Sequence, residues 1–311
     1  MRVTRRSFLA AAGAAAATPR LSGAQAAPPI PIIDTHIHLF DPTRPQGAPY
    51  SGPRPAPGQT PIPAYPDRYR RLAVPLGVVG AIKVEASPWI EDNLWVLEVA
   101  QRDPIMVGVV GNLEPDKPEF GEYLDRYHKN PLFRGIRYGN IWGRDIARQS
   151  TNPSFIDGLK RLADADLVLD TTNPRVSLLE AALRIVLDHL PSLDPDAAEQ
   201  ARYDAALREL RARRQVFVKL SEIIHRVNDQ VSTDLATYRA RLDLLMDVFG
   251  EDRILVGSDW PNSDGVAPID SIFAIAQQYF AARPRAVAEK YFWRNSIVVY
   301  KWVKRDPAQP G

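Results

Sequence analysis

The sequence predicts an α/β protein of the (β/α)8 class, a TIM barrel built as a single domain, and three observations carry that prediction. Eight short runs rich in Val, Ile and Leu recur along the chain, amphipathic stretches or long loops separate them, and no composition break divides the chain beyond its first 26 residues. The runs are apolar almost throughout, as strands covered on both faces must be. A doubly wound open sheet is the structural alternative, but no glycine-rich phosphate turn follows the first run.

In chain order, TRRSFLAAAGAAAA has the layout of an export signal. Arg5 and Arg6 form a paired basic start, Phe8 to Ala17 a short apolar stretch, and Ala24-Gln25-Ala26 a small-residue cleavage site. We expect residues 1–26 to be a cleaved twin-arginine signal peptide and the mature chain to be periplasmic. About ten Ala-rich residues fall short of the ~20 that span a bilayer, so no membrane anchor is expected after cleavage.

The barrel domain, 27–311, starts with PIID (31–34) as its first strand. The loop 41–66 follows, with nine prolines that keep it extended, and it leaves from the C-terminal mouth of the barrel. We read it as a cover over the mouth, with Tyr50 and Tyr65 as candidate substrate contacts. The next strands are VVGAIKVE (78–85), IMVGVVG (105–111), FRGIRY (133–138), DLVLD (166–170), RIVLD (184–188), QVFVKL (215–220) and RILVGS (253–258). Helical patterning occupies NLWVLEVAQR (93–102), FGEYLDRYHK (120–129), SFIDGLKRLADA (154–165) and DLATYRARLDLLMDVFG (234–250). A further patterned helix over 194–214 is expected on the outside of the barrel.

Composition excludes several classes. The chain has no cysteine, hence no disulfide framework, no thiolate nucleophile and no Cys-ligated metal. Residues 1–26 hold four arginines and no acid, so the mature chain has 35 basic against 37 acidic residues and offers no charge signal for nucleic acid. The Arg-rich stretch from Arg208 to Arg214 reads as a solvated helix face.

Against that background, PIIDTHIHLF (31–40) stands out, because two of only five histidines, His36 and His38, lie one residue apart at a strand end. Residues i and i+2 of a strand face one side about 6.5 Å apart, so both imidazoles can aim at one point at the mouth, where barrel active sites lie. RIVLDHLP places His189 just after the sixth strand, and ILVGSDWP places Asp259 just after the eighth. Singly, each could be a satisfied core histidine or a turn cap; together, four such groups converging from three strands point to chemistry.

The pattern DTHIHLFDP, RGIRYG, VLDHLP, VFVKLS, ILVGSDWP and a closing YFWRNSIVVYKW resembles the amidohydrolase superfamily. More closely it is similar to the amidohydrolase-related branch of predicted metal-dependent hydrolases that includes 2-pyrone-4,6-dicarboxylate lactonases and sugar lactonases, over Ile30 to Trp302. The resemblance implies that His36, His38, His189 and Asp259 form the active site, with Asp259 taking a proton from the attacking water and His189 orienting the substrate carbonyl. Metal-holding members usually carry a histidine at the end of strand five, where this chain has Asp170 and Thr171. One divalent ion, zinc by preference, would be held by His36, His38 and Asp259, with Asp170 as a further donor; metal-independent catalysis is an equal alternative. Without a full ligand set an ester or lactone is the easier substrate, and an acidic or sugar-derived lactone is the small molecule expected.

Other residues leave alternatives open. Arg137 could clamp a substrate carboxylate or pair with an acid such as Asp170. His225, after strand seven, could contact substrate or be a loop histidine. Lys83 and Glu85 read as an internal ion pair, His128 as lying outside the site, and Trp142 and Trp260 as cavity walls or barrel packing. A lactone or ester hydrolase therefore leads, ahead of a metal-dependent decarboxylase of the same superfamily and a binding protein on a barrel scaffold.

Overall fold

β-Branched and Leu-rich runs form the eight strands of one parallel sheet in a computed structural model that describes residues 27–53, 61–172 and 186–311. The expected signal segment lies outside the described residues, as do 54–60 of the proline-rich loop. So does 173–185, which takes in the start of the expected sixth strand.

The barrel strands are β1 (Ile32–Ile37), β2 (Val78–Val84), β3 (Met106–Gly111), β4 (Phe133–Arg137), β5 (Val168–Thr171), β6 (Val186–Leu187), β7 (Phe217–Lys219) and β8 (Ile254–Leu255). They pair in sequence order, each parallel to the next. The last step, from β8 back to β1, is made by Thr35 N–H donating to Val256 O at 3.1 Å, a parallel bridge of Ile37 with Trp260, and His38 N–H donating to Trp260 O at 2.8 Å. The sheet is thereby joined into a barrel, the fold the sequence predicts and not the open alternative. β1 runs further than PIID suggests and carries His36 inside it, because register shifts between Asp34 and Ile37 let the strand continue past the aspartate.

Strand alternation sorts the apolar side chains into two layers. Ala81, Val109, Ile136 and Val218 pack outward against helix residues such as Leu97, Leu124, Leu162 and Leu242. Ile33, Ile82, Val84, Val110 and Leu255 form a separate cluster with Tyr300 and Trp302 of the closing segment. The expected outer helix is Gln200–Ala212, packed against the helix Leu235–Phe249. Buried Arg253 ties the ends of both, donating to the helix-end carbonyls Leu210 O (3.0 Å), Arg213 O (2.8 Å), Val248 O (2.8 Å) and Phe249 O (2.9 Å).

The described part of the loop 41–66 folds back on the barrel. Phe40 and Ala64 exchange backbone hydrogen bonds, and Arg44 pairs with Asp92 at 2.8 Å while lying over the Trp95 ring. These ties set the Tyr50 ring 5.6 Å from that of His38. Among the described residues no helix is long and apolar enough to cross a membrane.

Candidate active site

Three imidazoles meet one carboxylate oxygen at the C-terminal mouth. The Nε2 atoms of His38, His36 and His189 lie 3.1, 3.4 and 3.9 Å from Oδ1 of Asp259. His36 is on β1 and His38 just beyond it, with ring centroids 5.0 Å apart; His189 follows β6 and Asp259 follows β8. All four side chains are buried. The structure thus brings together the four residues that the strand-end positions suggest.

The second atom of each ring fixes what the first can do. His38 Nδ1 lies 3.0 Å from Val84 O, a carbonyl that can only accept, so Nδ1 carries the proton and Nε2 turns a lone pair toward Asp259. His189 is the reverse case. Its backbone N–H donates to Ser221 Oγ (3.3 Å), and the Ser221 hydroxyl can donate to Nδ1 (2.9 Å), an arrangement that suits a ring proton on Nε2. Ser221, at the end of strand seven, was not evident as a site residue in the sequence.

Burial lowers the pKa of His38, opposed by Asp259, and burial with the nearby Lys219 charge lowers that of His36 further, so both are neutral near pH 7. For Asp259, burial pushes the carboxyl up, but the surrounding imidazoles, His189 foremost, outweigh it and hold the group below the usual carboxylate range. Its other oxygen accepts from Asn262 Nδ2 at 2.7 Å.

A neutral His38 and an ionised Asp259 face lone pair to lone pair at 3.1 Å, and His36 Nε2 is buried with no hydrogen-bond partner among the described residues. Such an arrangement calls for a cation between the atoms. Two imidazole nitrogens and a carboxylate oxygen within 4.8 Å of one another are a donor set that suits a divalent metal.

Above these groups lies a cavity of about 100 Å³, bordered by His38, His189 and Asp259 and also by Tyr50, Trp142 and Glu222. The Tyr50 hydroxyl and Trp142 Nε1 are buried and unpaired among the described residues. Burial raises the Tyr50 pKa far enough that it stays a neutral phenol, with Asp259 adding to the effect.

Beneath the imidazoles is a charged cluster that the sequence did not reveal. Lys219 Nζ is 2.6 Å from Asp170 Oδ2, 3.0 Å from Asp188 Oδ1 and 3.4 Å from His36 Nδ1, and all four groups are fully buried. The Tyr300 hydroxyl lies 3.1 Å from each Asp170 oxygen. Burial raises the Asp170 pKa to about 6, with Lys219 opposing.

Several expectations are corrected. Asp170 is engaged by Lys219 and Tyr300 and belongs to no metal-type group among the described residues. Arg137 borders the cavity as a substrate contact would, and its Nε donates to Glu85 Oε2 at 3.0 Å and its Nη2 to the Glu85 carbonyl, so its ion-pair partner is Glu85 and not Asp170. Glu85 pairs with Arg137 and Arg144, not Lys83. Tyr65 hydrogen-bonds Asp41 (2.8 Å) and packs on Trp95, outside the cavity. His225 turns Nδ1 to the carbonyls of Glu222 and Ile223 and rests on Tyr238, so it too is outside the cavity. Trp260 packs on Tyr69, away from the cavity, whereas Trp142 does line it.

Comparison with known proteins agrees with this geometry. The chain is 28% identical over 244 residues to an L-fucono-1,5-lactonase of Burkholderia multivorans, covering 73% of this chain and 82% of that protein. In three dimensions it resembles a zinc-bound amidohydrolase of Burkholderia multivorans (TM-score 0.75, 24% identity, 88% of this chain and 100% of that one). It also resembles a probable 2-pyrone-4,6-dicarboxylic acid hydrolase of Acinetobacter baumannii with citric acid bound (TM-score 0.68, 17% identity, 87% and 99%). The family described as Amidohydrolase matches residues 33–302, nearly the whole of the described barrel, and the chain therefore belongs to the amidohydrolase family.

Proposed function

We propose that the chain hydrolyses a lactone or a closely related ester, by attack of a water seated between Asp259 and the imidazoles of His36, His38 and His189. The observation that carries this reading is the convergence of three Nε2 atoms on one oxygen of an ionised, buried carboxylate beside an open cavity. Asp259 accepts the proton of the attacking water as the new C–O bond forms. His189, with its proton on Nε2, donates to the carbonyl oxygen as that oxygen gains charge. The ring C–O bond then breaks, and Asp259 returns the proton to the leaving alkoxide, giving a hydroxy acid.

A divalent ion held by His36, His38 and Asp259, zinc being favoured by the zinc-bound structural relative, would supply Lewis acidity to the water and the carbonyl. A lactone carbonyl is also electrophilic enough for the same residues to act without it.

The unpaired Tyr50 Oη and Trp142 Nε1 at the cavity, with the Glu222 carboxylate 3.8 Å from His189 Nδ1, suit a substrate with hydroxyl groups. With Arg137 already engaged by Glu85, a sugar-derived lactone is favoured over a strongly acidic one. The lactonase names among the relatives support the same class. Arg5, Arg6 and the apolar stretch behind them support a periplasmic location.

The test is pH-stat titration with L-fucono-1,5-lactone and other sugar lactones, alongside gas analysis with carboxylated aromatic compounds. Acid release from a lactone without carbon dioxide supports the reading. Carbon dioxide evolution from a carboxylated substrate, with no lactone hydrolysed, would replace it with the decarboxylase alternative.

A further inference from the structure

The buried Lys219 is unlike the other charged side chains of the barrel, because it sits in what would otherwise be a metal's surroundings. Two carboxylates and an imidazole nitrogen surround its Nζ at 2.6, 3.0 and 3.4 Å, and none of the groups touches solvent. An ammonium has three N–H bonds to give and no acceptor capacity; the carboxylates of Asp170 and Asp188 accept from it, while His36 Nδ1, which carries the ring proton when Nε2 faces a metal, is a close neighbour only. Two carboxylates buried without a cation would not both stay ionised, so the lysine is what makes Asp170 and Asp188 tolerable side by side.

The cluster matters for the active site because of where it touches it. Two further groups of potential metal donors adjoin His36, His38 and Asp259: His189, Glu222 and Asp259 on the cavity side, which draws on the same Asp259 carboxylate as the first group, and His36, Asp188 and His189 against the lysine. An ion there would share His36 with the first group and would lie against the Lys219 ammonium, which already holds Asp188 at 3.0 Å. A fixed positive charge at that distance in a water-free interior opposes a divalent ion and has already taken up its counter-charge.

We propose that the Lys219 ammonium is a built-in cation standing in for a second metal ion: held by Asp170 and Asp188 and set against His36, it keeps a divalent ion out of the His36, Asp188 and His189 group and leaves one exchangeable ion at His36, His38 and Asp259. The ion count does not depend on which ester the site opens. Lys219 is thus a positioning residue. Through Asp188, whose Oδ2 lies 3.6 Å from His36 Nδ1, it also keeps the His36 ring turned with Nε2 toward Asp259.

The experiment counts ions. Full-length mature protein, Lys219→Ala, and Lys219→Ala with Asp188→Asn are loaded with zinc or manganese, freed of loose metal by gel filtration, and analysed for metal per chain. The wild type is expected to hold at most one ion, Lys219→Ala one more than the wild type, and the double variant to return to the wild-type number. In manganese-loaded Lys219→Ala, electron paramagnetic resonance should show a spin-coupled pair that the wild type lacks. Two ions per wild-type chain, an unchanged count in Lys219→Ala, or an extra ion that persists after Asp188→Asn would each overturn the proposal. If Lys219→Ala does not fold, Lys219→Met, which keeps the side-chain volume without the charge, is counted in its place against the same outcomes.

Discussion

Asp259→Asn separates stability from chemistry at this site, because the structure says what an amide would meet there. Asn262 Nδ2 donates to Oδ2 at 2.7 Å, so the amide oxygen of the substituted side chain would take that position as acceptor. Its NH2 group would then face His38 Nε2, 3.1 Å away, and His36 Nε2, 3.4 Å away. A lone-pair confrontation becomes an N–H···N hydrogen bond worth about 1 kcal/mol, and a buried charge is removed. Compared with wild type in the presence of a chelator, so that no ion contributes to either, the melting temperature should therefore hold or rise. Turnover should behave oppositely: losing a general base costs about 100- to 10,000-fold, or about 2.7–5.4 kcal/mol of transition-state free energy. Thermal denaturation followed by circular dichroism and initial rates on a hydrolysed lactone give the two numbers. Turnover within a few-fold of wild type in a folded Asp259→Asn protein would remove Asp259 from the reaction.

Three further outcomes are expected. Ser221→Ala frees His189 Nδ1, and losing a hydrogen bond of about 1 kcal/mol lets the wrong tautomer compete, so kcat should fall only about 2- to 10-fold; a drop as large as that of Asp259→Asn would mean Ser221 has a more direct role. Dialysis against a chelator should lower both activity and melting temperature, and zinc should restore both, since a ligand of the native state adds to its stability; full activity in protein shown to be metal-free would exclude the ion. Replacing Arg5 and Arg6 together by Lys should leave precursor in the cytoplasm, and mature protein in the periplasm of such cells would rule out the twin-arginine route.

What the sequence revealed, and what it hid, follows from range. Strand runs and the His36/His38 spacing are local patterns, and a barrel forces residues after successive strands onto one rim, so His189 and Asp259 could be placed there without coordinates. Lys219, Asp170 and Asp188 left a fainter trace: each is a charge within or ending a run otherwise built for burial, VFVKL, LVLD and IVLD. Three such misfits at matching strand ends are a readable signal, but their pairing depends on which strands are neighbours in the closed sheet. Arg137 could be seen as buried; that Glu85 of the β2 end would claim it, before Asp170 next door on β5, is a matter of side-chain reach across the barrel. Tyr65 and His225 failed for another reason. Both lie in irregular segments, where a single turn decides whether a ring faces the mouth or the chain behind it.

The backbone marks the same site in a way that no sequence pattern could. Of eight non-glycine residues with positive φ among the described residues, four border the cavity: Trp142 (59°), His189 (58°), Glu222 (52°) and Asp259 (60°). Each left-handed residue costs roughly 1–2 kcal/mol, least for an aspartate, so the four together weigh about 4–8 kcal/mol against a typical total stability of about 5–15 kcal/mol. Glycine at any of them would avoid the steric penalty. Their side chains are therefore what the positions are for, and the surrounding hydrogen bonds are what hold them there. Asp259 N–H donates to His36 O at 2.8 Å and its carbonyl accepts from Ser263 N–H at 3.0 Å; the His189 N–H is held by Ser221. His225, outside the cavity, finds its place in this scheme, because its Nδ1–H is shared between the carbonyls of Ile223 (2.9 Å) and Glu222 (3.2 Å) and fixes the turn that presents the Glu222 carboxylate to the cavity.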